Sequence, residues 1–376
     1  MFIDIHNRLP CLLLCLAGFF HLAYGQTTAP LTSREVVALL YELPRHPEKR
    51  DEIIETIRRR GIGFPLTDGM RSLVATKSGN DSLLRRTLEE AERRRVDPAG
   101  SALPSESEAN ELLEQTRLDT LAAAEAMPDF IVKQVIRRSA AFGTTTNWIP
   151  QDNLSIAVSY RSTAGEEYRV LTVNGMPLNQ QTTEGKDYSS YVGGATSTGE
   201  YVSGLASLFK PASRTTFRLV DTDLLRGIRT LVYDFEIKQE HSSLRLKVEH
   251  ESITVGSRGR IWIDREKHRV LRFQQIATEI AAGFPITAAS SLIDYDWVTI
   301  NEKPFLLPSN ADILITSVYR GQAIQKRNEI RFRGYQKYGA ELKVIDEIDE
   351  TDFPPDPPES PSQPKLSPSS PGGLVP

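Results

Sequence analysis

Apolar residues recur along this chain with two different periods, and the change of period divides it. From Leu31 to Arg95 the spacing is helical: Val36, Val37, Leu39, Leu40 and Leu43 predict a first helix that Pro44 and Pro47 break, and Ile53, Ile54 and Ile57 a second that Gly61 stops. Thr67 caps a third helix carrying Met70, Leu73 and Val74, and Asn80 or Asp81 starts a fourth with Leu83, Leu84 and Leu88 inward. "LTSREVVALLYE" and "PLTDGMRSLVAT" rhyme, as do the basic-ended helices that follow each, so this part reads as a helical repeat of two units. A polar linker follows at 97–105. Glu106 to Ala126 then predicts a longer helix with Leu112, Leu113, Leu118 and Leu121 on one stripe.

From Pro128 the period falls to two. "DFIVKQVIRR" alternates Phe130, Val132, Gln134 and Ile136 with Ile131, Lys133 and Val135, which is a strand. Further strands are expected at 153–161, 166–174, 215–221, 229–240, 243–254, 259–264, 269–280, 287–299, 310–318 and 324–335. Turns such as Asn174-Gly175 and Ile300-Asn301-Glu302-Lys303 are too short for a parallel crossover, so the neighbours they join are antiparallel. One excursion, Gly193 to Pro211, opens with small residues and continues as a helix with Tyr201, Leu205, Leu208 and Phe209 on its apolar side. It reads either as a lid or as an anion cradle at a helix N-terminus. The expected fold is α+β: a large curved antiparallel sheet, an incomplete β-barrel covered by helices, over 106–343, with a small all-helical module over 26–96. The Pro- and Ser-rich acidic segment 344–376 has little to bury and is expected to be disordered.

The first residues change the picture of compartment. Arg8 precedes an apolar run from Leu9 to Phe20, too short for the roughly 20 residues a membrane span needs, and Ala23-Tyr24-Gly25 offers a small-x-small cleavage site. A signal peptide over 1–25, cut before Gln26, is expected; the alternatives are an uncleaved anchor, a buried strand, or lipidation at Cys15, against which the bulky Leu14 argues. Both cysteines, Cys11 and Cys15, lie in that segment, so the mature chain has no thiol for disulfides, thiolate metal sites or cysteine nucleophiles, and suits an oxidising periplasm. A net charge of −4 argues against a general nucleic-acid binder. Arg58-Arg59-Arg60 and Arg93-Arg94-Arg95 each end a helix, where cations offset the dipole and are expected to stay solvated.

Catalytic and metal chemistry finds weak candidates. His46, His241, His250 and His268 lack zinc-site spacing, and no metal or other cofactor is expected. Ser197 does not sit in a nucleophile elbow, and Gly185-Lys186 lacks the upstream glycine of a phosphate loop. Asp221 with Asp223, or Asp294 with Asp296, share a strand face as acid/base pairs would, though surface display or turn capping explains them as well.

The run "MPDFIVKQVIRR", then "GRIWIDREKHRVLRF" and "SSLIDYDWVTINEKPFLLPSNADI", resembles the periplasmic lipoprotein carriers of the LolA-like superfamily and its outer-membrane lipoprotein-sorting relatives; the resemblance covers about 106–340. Trp262, Asp264, Val270 and Arg272, and the segment Asp294 to Pro308, carry it. The "VNG", "GGATSTGE" and "GRIWID" segments are similar to those of a broader set of uncharacterised secreted bacterial proteins, and the helical module resembles short modules near the N-terminus of exported proteins, which implies interaction. The helical prefix, the Gly-Thr-Ser excursion and the Pro-rich tail depart from the carrier pattern.

The resemblance implies an apolar concave face under helices that holds acyl chains or other hydrophobic ligands. Tyr201, Leu205 and Phe209 of the covering helix and Trp262, Phe273 and Trp297 of the strands are the candidate ligand-binding residues, Trp148 and Phe305 the further aromatic candidates, with core packing as the alternative for the strand aromatics. The expected function is a non-enzymatic periplasmic protein that binds or carries lipid, lipoprotein or another hydrophobic molecule, with a possible protein partner for the helical module. The alternatives are an envelope scaffold without a ligand cavity, and a hydrolase using Ser197, Asp221, Asp223 or Asp294.

Overall fold

The computed structural model describes residues 29–143, 145, 147–178, 201–248, 251–338 and 348–354. The expected signal peptide with its cut before Gln26, Gly185-Lys186, Gly193, Ser197, His250 and the tail beyond Pro354 lie outside the described residues.

The helical module forms as its caps dictate. Helix α1 (Ser33–Glu42) starts at Thr32, whose hydroxyl accepts from Glu35 N while the Glu35 carboxylate takes the Thr32 N–H, a reciprocal box that satisfies two otherwise orphaned donors. Helix α2 (Arg50–Arg60) ends at Gly61 in the left-handed region. Helix α3 (Asp68–Lys77) is capped by Thr67 and α4 (Ser82–Val96) by Asp81, each accepting an N–H of the first turn. Helix α5 (Glu106–Glu125), capped by Ser105, follows the stretch expected as a linker. Its buried positions are Ala109, Leu112, Thr116 and Thr120. Leu118, expected on the apolar stripe, is instead exposed, because six residues from Leu112 carry a side chain well round the helix.

The sheet has eleven strands, all paired antiparallel, in the order β4-β3-β2-β1-β13-β12-β11-β10-β9-β6-β5. The strands are β1 (Phe130–Phe142), β2 (Ile149–Arg161), β3 (Gly165–Val173), β4 (Met176–Pro177), β5 (Thr216–Leu225), β6 (Ile228–Ile237), β9 (Gly256–Asp264), β10 (Val270–Thr278), β11 (Ile286–Ile300), β12 (Lys303–Tyr319) and β13 (Gln322–Lys337). It begins at β4 and ends at β5 without closing, the expected incomplete barrel. The expected strand at 243–254 is a correction: it splits into β7 (Arg245–Val248) and β8 (Glu251–Thr254), a separate hairpin whose Leu246 packs with Val255, Phe284 and Ile286. The chain crosses from the β4 edge to the β5 edge, and α6 (Val202–Phe209) lies on that path.

Alternation gives the sheet two working faces. Phe130, Val132 and Ile136 of β1, Tyr233 and Phe235 of β6, Ile261 and Ile263 of β9, and Phe332 of β13 point inward and pack with Leu112, Tyr201, Leu205, Leu208 and Phe209 from α5 and α6. Val232, Trp262 and Leu271, at intervening positions, point outward and join Val36, Leu40, Ile54, Ile57, Leu84 and Leu88 of the helical module. Each such side chain withdrawn from water contributes about 1.5–3 kcal/mol before ordering costs.

Buried charges fix where the module sits. Arg58 Nε donates to Asp221 at 3.0 Å and Arg94 to the other oxygen of the same carboxylate. Asp223 accepts from Arg86 Nε at 2.7 Å, Arg93 Nη2 at 2.9 Å and the Trp262 indole N–H at 3.0 Å. Glu90, itself buried, accepts from Arg93 and Arg229 and from the Thr222 hydroxyl. Burial pushes the Asp221 carboxyl up, against the pull of Arg58 and Arg94. Two expectations are corrected here. The basic triplets are not simply solvated helix ends, since Arg58, Arg93 and Arg94 reach the sheet, and Asp221 and Asp223 are neither displayed at the surface nor turn caps.

The C-terminal segment also departs from expectation. Residues 348–354 fall in the stretch expected to be disordered, yet Ile348 and Phe353 are buried against Ile131, Ala157 and Leu171 on the outer face.

Asp223→Ala leaves Arg86, Arg93 and the Trp262 N–H without their acceptor and is expected to cost about 3 kcal/mol, the usual penalty for breaking a buried pair. Arg59→Ala, at the exposed side of the end of α2, is expected to stay within about 0.5 kcal/mol of the parent. Thermal unfolding followed by circular dichroism checks both; equal melting temperatures for the two variants would show that the buried charges do not hold the module.

Candidate functional site

The inner face leaves a cleft of about 190 Å³ between the end of α5, α6 and the β11–β12 hairpin. Thr120, Ala123, Ala126 and Met127 form the α5 wall, Leu205 comes from α6, and Arg269 and Val270 from the entry to β10. Tyr295, Trp297, Pro304, Phe305 and Leu306 complete it from the hairpin. Small residues make the space: the α5 end reads Leu121-Ala-Ala-Ala-Glu-Ala-Met127, and a helix that turns alanines toward a sheet stands off from it. The hairpin register places Trp297 across from Leu306 in the opposite wall.

Helix α5 is pinned against the sheet at its start and at the near edge of the cleft. The Tyr233 hydroxyl donates to the Ala109 carbonyl at 2.8 Å, Arg265 pairs with Glu108 at 3.2 Å, and Arg269 pairs with Asp119. Burial, with the nearby Glu108 charge, pushes the Tyr233 phenol up to about 12, so it remains a donor. Arg269, neutralised by Asp119, lines the cleft, and Lys267 Nζ lies 5.9 Å from the centre of the Trp297 ring.

The six candidate residues divide three ways. Leu205 and Trp297 line the cleft, and Trp297 is 42% exposed at its mouth. Tyr201, Phe209 and Phe273 are core residues: the Tyr201 ring packs 5.5 Å from Phe130 and 5.6 Å from Phe332, its hydroxyl accepts from Gln134 Nε2, Phe209 stacks on Phe217, and Phe273 stacks on Phe235. Trp262 is on the opposite face, sandwiched by the helical module, with Asp223 on its N–H and the Arg272 guanidinium 5.8 Å from its ring. Phe305 lines the cleft, whereas Trp148 lies under the Arg327 guanidinium. Sequence reasoning missed Thr120, Ala123, Ala126, Met127 and Tyr295; the alanine run of α5 was the available signal.

The carboxylates of both candidate pairs already have partners. Asp221 and Asp223 each carry arginines, Asp294 is clasped by both Nε and Nη2 of Arg272, at 2.7 and 2.8 Å, and Asp296 accepts from the Trp297 N–H. Among the described residues no three His, Cys, Asp or Glu side chains gather as a metal set, and no helix is long and apolar enough to cross a membrane.

No protein-family model matches the chain, and no curated protein matches it. Among solved structures it is similar to a DUF1329 family protein from Desulfovibrio piger ATCC 29098, at 9% identity over 62% of this chain and 94% of that one, with a TM-score of 0.28. It is also similar to MucB in complex with MucA(peri), at 12% identity over 57% and 93% of the two chains, and to a Pseudomonas aeruginosa MucA/MucB complex, at 9% identity over 58% and 94%, each with a TM-score of 0.17.

Tyr233→Phe removes the hydrogen bond that ties the sheet to the Ala109 carbonyl of α5 and is expected to destabilise the chain by about 1 kcal/mol. Because the folded phenol's pKa is raised from 10.0 to about 12, its contribution is full below pH 10 and lost as pH rises through 12. The stability difference between parent and variant, measured by urea unfolding, therefore narrows over that interval; a constant difference would mean that the phenol is not held neutral.

Proposed function

We propose that this chain is a non-enzymatic binding protein of the bacterial envelope, exported by its N-terminal segment, that takes one apolar group of limited size in the α5–α6–hairpin cleft. The carrying observation is the cleft itself, walled by apolar side chains, with a half-exposed tryptophan at its mouth, in a sheet face otherwise packed by its own side chains. Its size sets the class of ligand. An apolar cavity of about 150 Å³ accepts a benzene ring, whereas sites for drug-sized molecules begin near 300 Å³. A cleft of about 190 Å³ therefore suits an aromatic ring or a short alkyl segment, the end of an acyl chain or an apolar side chain of a partner, rather than a whole diacylated lipid. Lys267 beside Trp297 favours an acidic or neutral head over a cationic one.

The scaffold reading has its own support: Tyr201, Phe209 and Phe273 fill the space a lipid carrier would leave open. It predicts no ligand in the cleft. Titration with N-phenyl-1-naphthylamine separates the two. Fluorescence enhancement is expected for the parent, competed by medium-chain alcohols and carboxylates, and reduced by about tenfold or more in Ala123→Trp, which fills the cleft at a partly exposed helix position. Absence of enhancement, or an unchanged response from a folded Ala123→Trp protein, would leave the scaffold reading.

A further inference from the structure

The outer face of β1, β2 and β3 holds a peptide. Ile348 and Phe353 sit against Ile131, Ala157 and Leu171, and between them Glu350 Oε1 accepts from Lys133 Nζ at 3.3 Å and from the Ser155 hydroxyl at 3.0 Å. The floor is charged as well as apolar: Lys133, Ala157 and Arg169 are in register across the three strands, on the same face as Leu171, and both cations are buried. The Gln336 amide donates to the Asp352 carbonyl at 2.9 Å.

The seat is built into β13. Its pairing with β1 slips between Ile131 and Lys133, which inserts a bulge at Gly334. Gly334 has φ 63°, and a Cβ there would lie 2.9 Å from Pro354 Cδ and 3.4 Å from Phe353 Cδ1, so glycine serves both the bulge and the fit of the Phe-Pro pair. A buried ammonium and guanidinium beside an apolar floor call for an apolar peptide with a carboxylate in its middle, and Ile348-Asp-Glu350-Thr-Asp-Phe353-Pro354 has that pattern. The hold is incomplete, because Glu350 Oε2 is buried with no hydrogen-bond partner among the described residues.

We infer that this groove is a docking site for a short acidic peptide flanked by apolar residues, kept occupied in the resting chain by its own residues 348–354, which act as a releasable latch. The site lies on the face opposite the cleft and does not depend on what the cleft binds. A trans peptide competes with a tethered one, so the groove answers only to partners present at high local concentration or to release of the latch.

The test uses the full chain and a fluorescein-labelled peptide of residues 346–356, read by anisotropy. In the full-length Ile348→Ala/Phe353→Ala protein the latch is weakened, and the peptide is expected to bind at least about tenfold more tightly than to the parent. Changing Glu350 to Gln in the peptide, or Lys133 to Met in the doubly substituted protein, is expected to weaken that binding by about tenfold. A folded double variant that does not bind the peptide, or a parent that binds it equally well, overturns the inference. Hydrogen exchange on the parent decides independently of any variant's folding. The amides of Thr351 and Asp352 are expected to exchange far faster than those of β1; exchange of both only through global unfolding would make 348–354 a fixed part of the core and end the proposal.

Discussion

The structure depends on a sheet that is apolar on both faces. Ile261, Trp262 and Ile263 are consecutive and all buried, which a strand achieves only when each face has a cover. An antiparallel sheet with one wet face has no use for such a run. Helices α5 and α6 cover the inner face and the helical module the outer face of β5, β6, β9 and β10, so the module is a layer of the fold rather than an appended domain. On the outer face of β1 to β3, where the module does not reach, residues 348–354 provide cover.

Apolar contact alone does not set the register of a helical layer on a twisted sheet, because greasy surfaces slide. Here the register is set by directional pairs between α2, α4 and β5, where Asp221 and Asp223 each meet two arginines and Asp223 also takes the Trp262 N–H. Such buried pairs contribute little net stability relative to an apolar filling, and their worth lies in the arrangements they exclude. A module shifted by one helical turn would leave two carboxylates and several guanidiniums buried without partners. The charges thus act as a gauge, and the apolar contacts supply the adhesion.

Much of this was legible in the sequence, and what was not has physical reasons. Helix starts at Thr32, Thr67 and Asp81 and the strands from Phe130 onward follow from capping and alternation, which are local. The sequence pattern does not tell that Trp262 faces away from the ligand side, because a strand apolar at both parities does not declare its inner face. The arginine triplets were read as solvated helix ends because their partners lie 127 to 163 residues away, beyond any local pattern. The segment 348–354 was lost in the composition of its surroundings: two apolar residues among acids and prolines do not look like a buried peptide until the Lys133–Ala157–Arg169 floor is assembled. Leu118 failed for a simpler cause, since leucines in one helix do not share a face unless their spacing closes on the turn.

The cleft follows from the same constraint. A helix laid over a curved sheet cannot touch it evenly along twenty residues, and α5 puts its larger side chains, Leu112 and Leu113, near its start and its alanines near its end. Where the alanines fall, the β11–β12 hairpin rises to meet them with Trp297, Phe305 and Leu306, and the gap remains. Space of about 190 Å³, beneath a half-exposed tryptophan and beside a pinned arginine, is a more specific feature than the general curvature of the sheet. It is also far smaller than an open concave wall would be, because Tyr201, Phe209 and Phe273 occupy the volume that the curvature makes available. The chain combines an open, unclosed sheet with a nearly solid interior, and the small volume of the cleft follows from that combination.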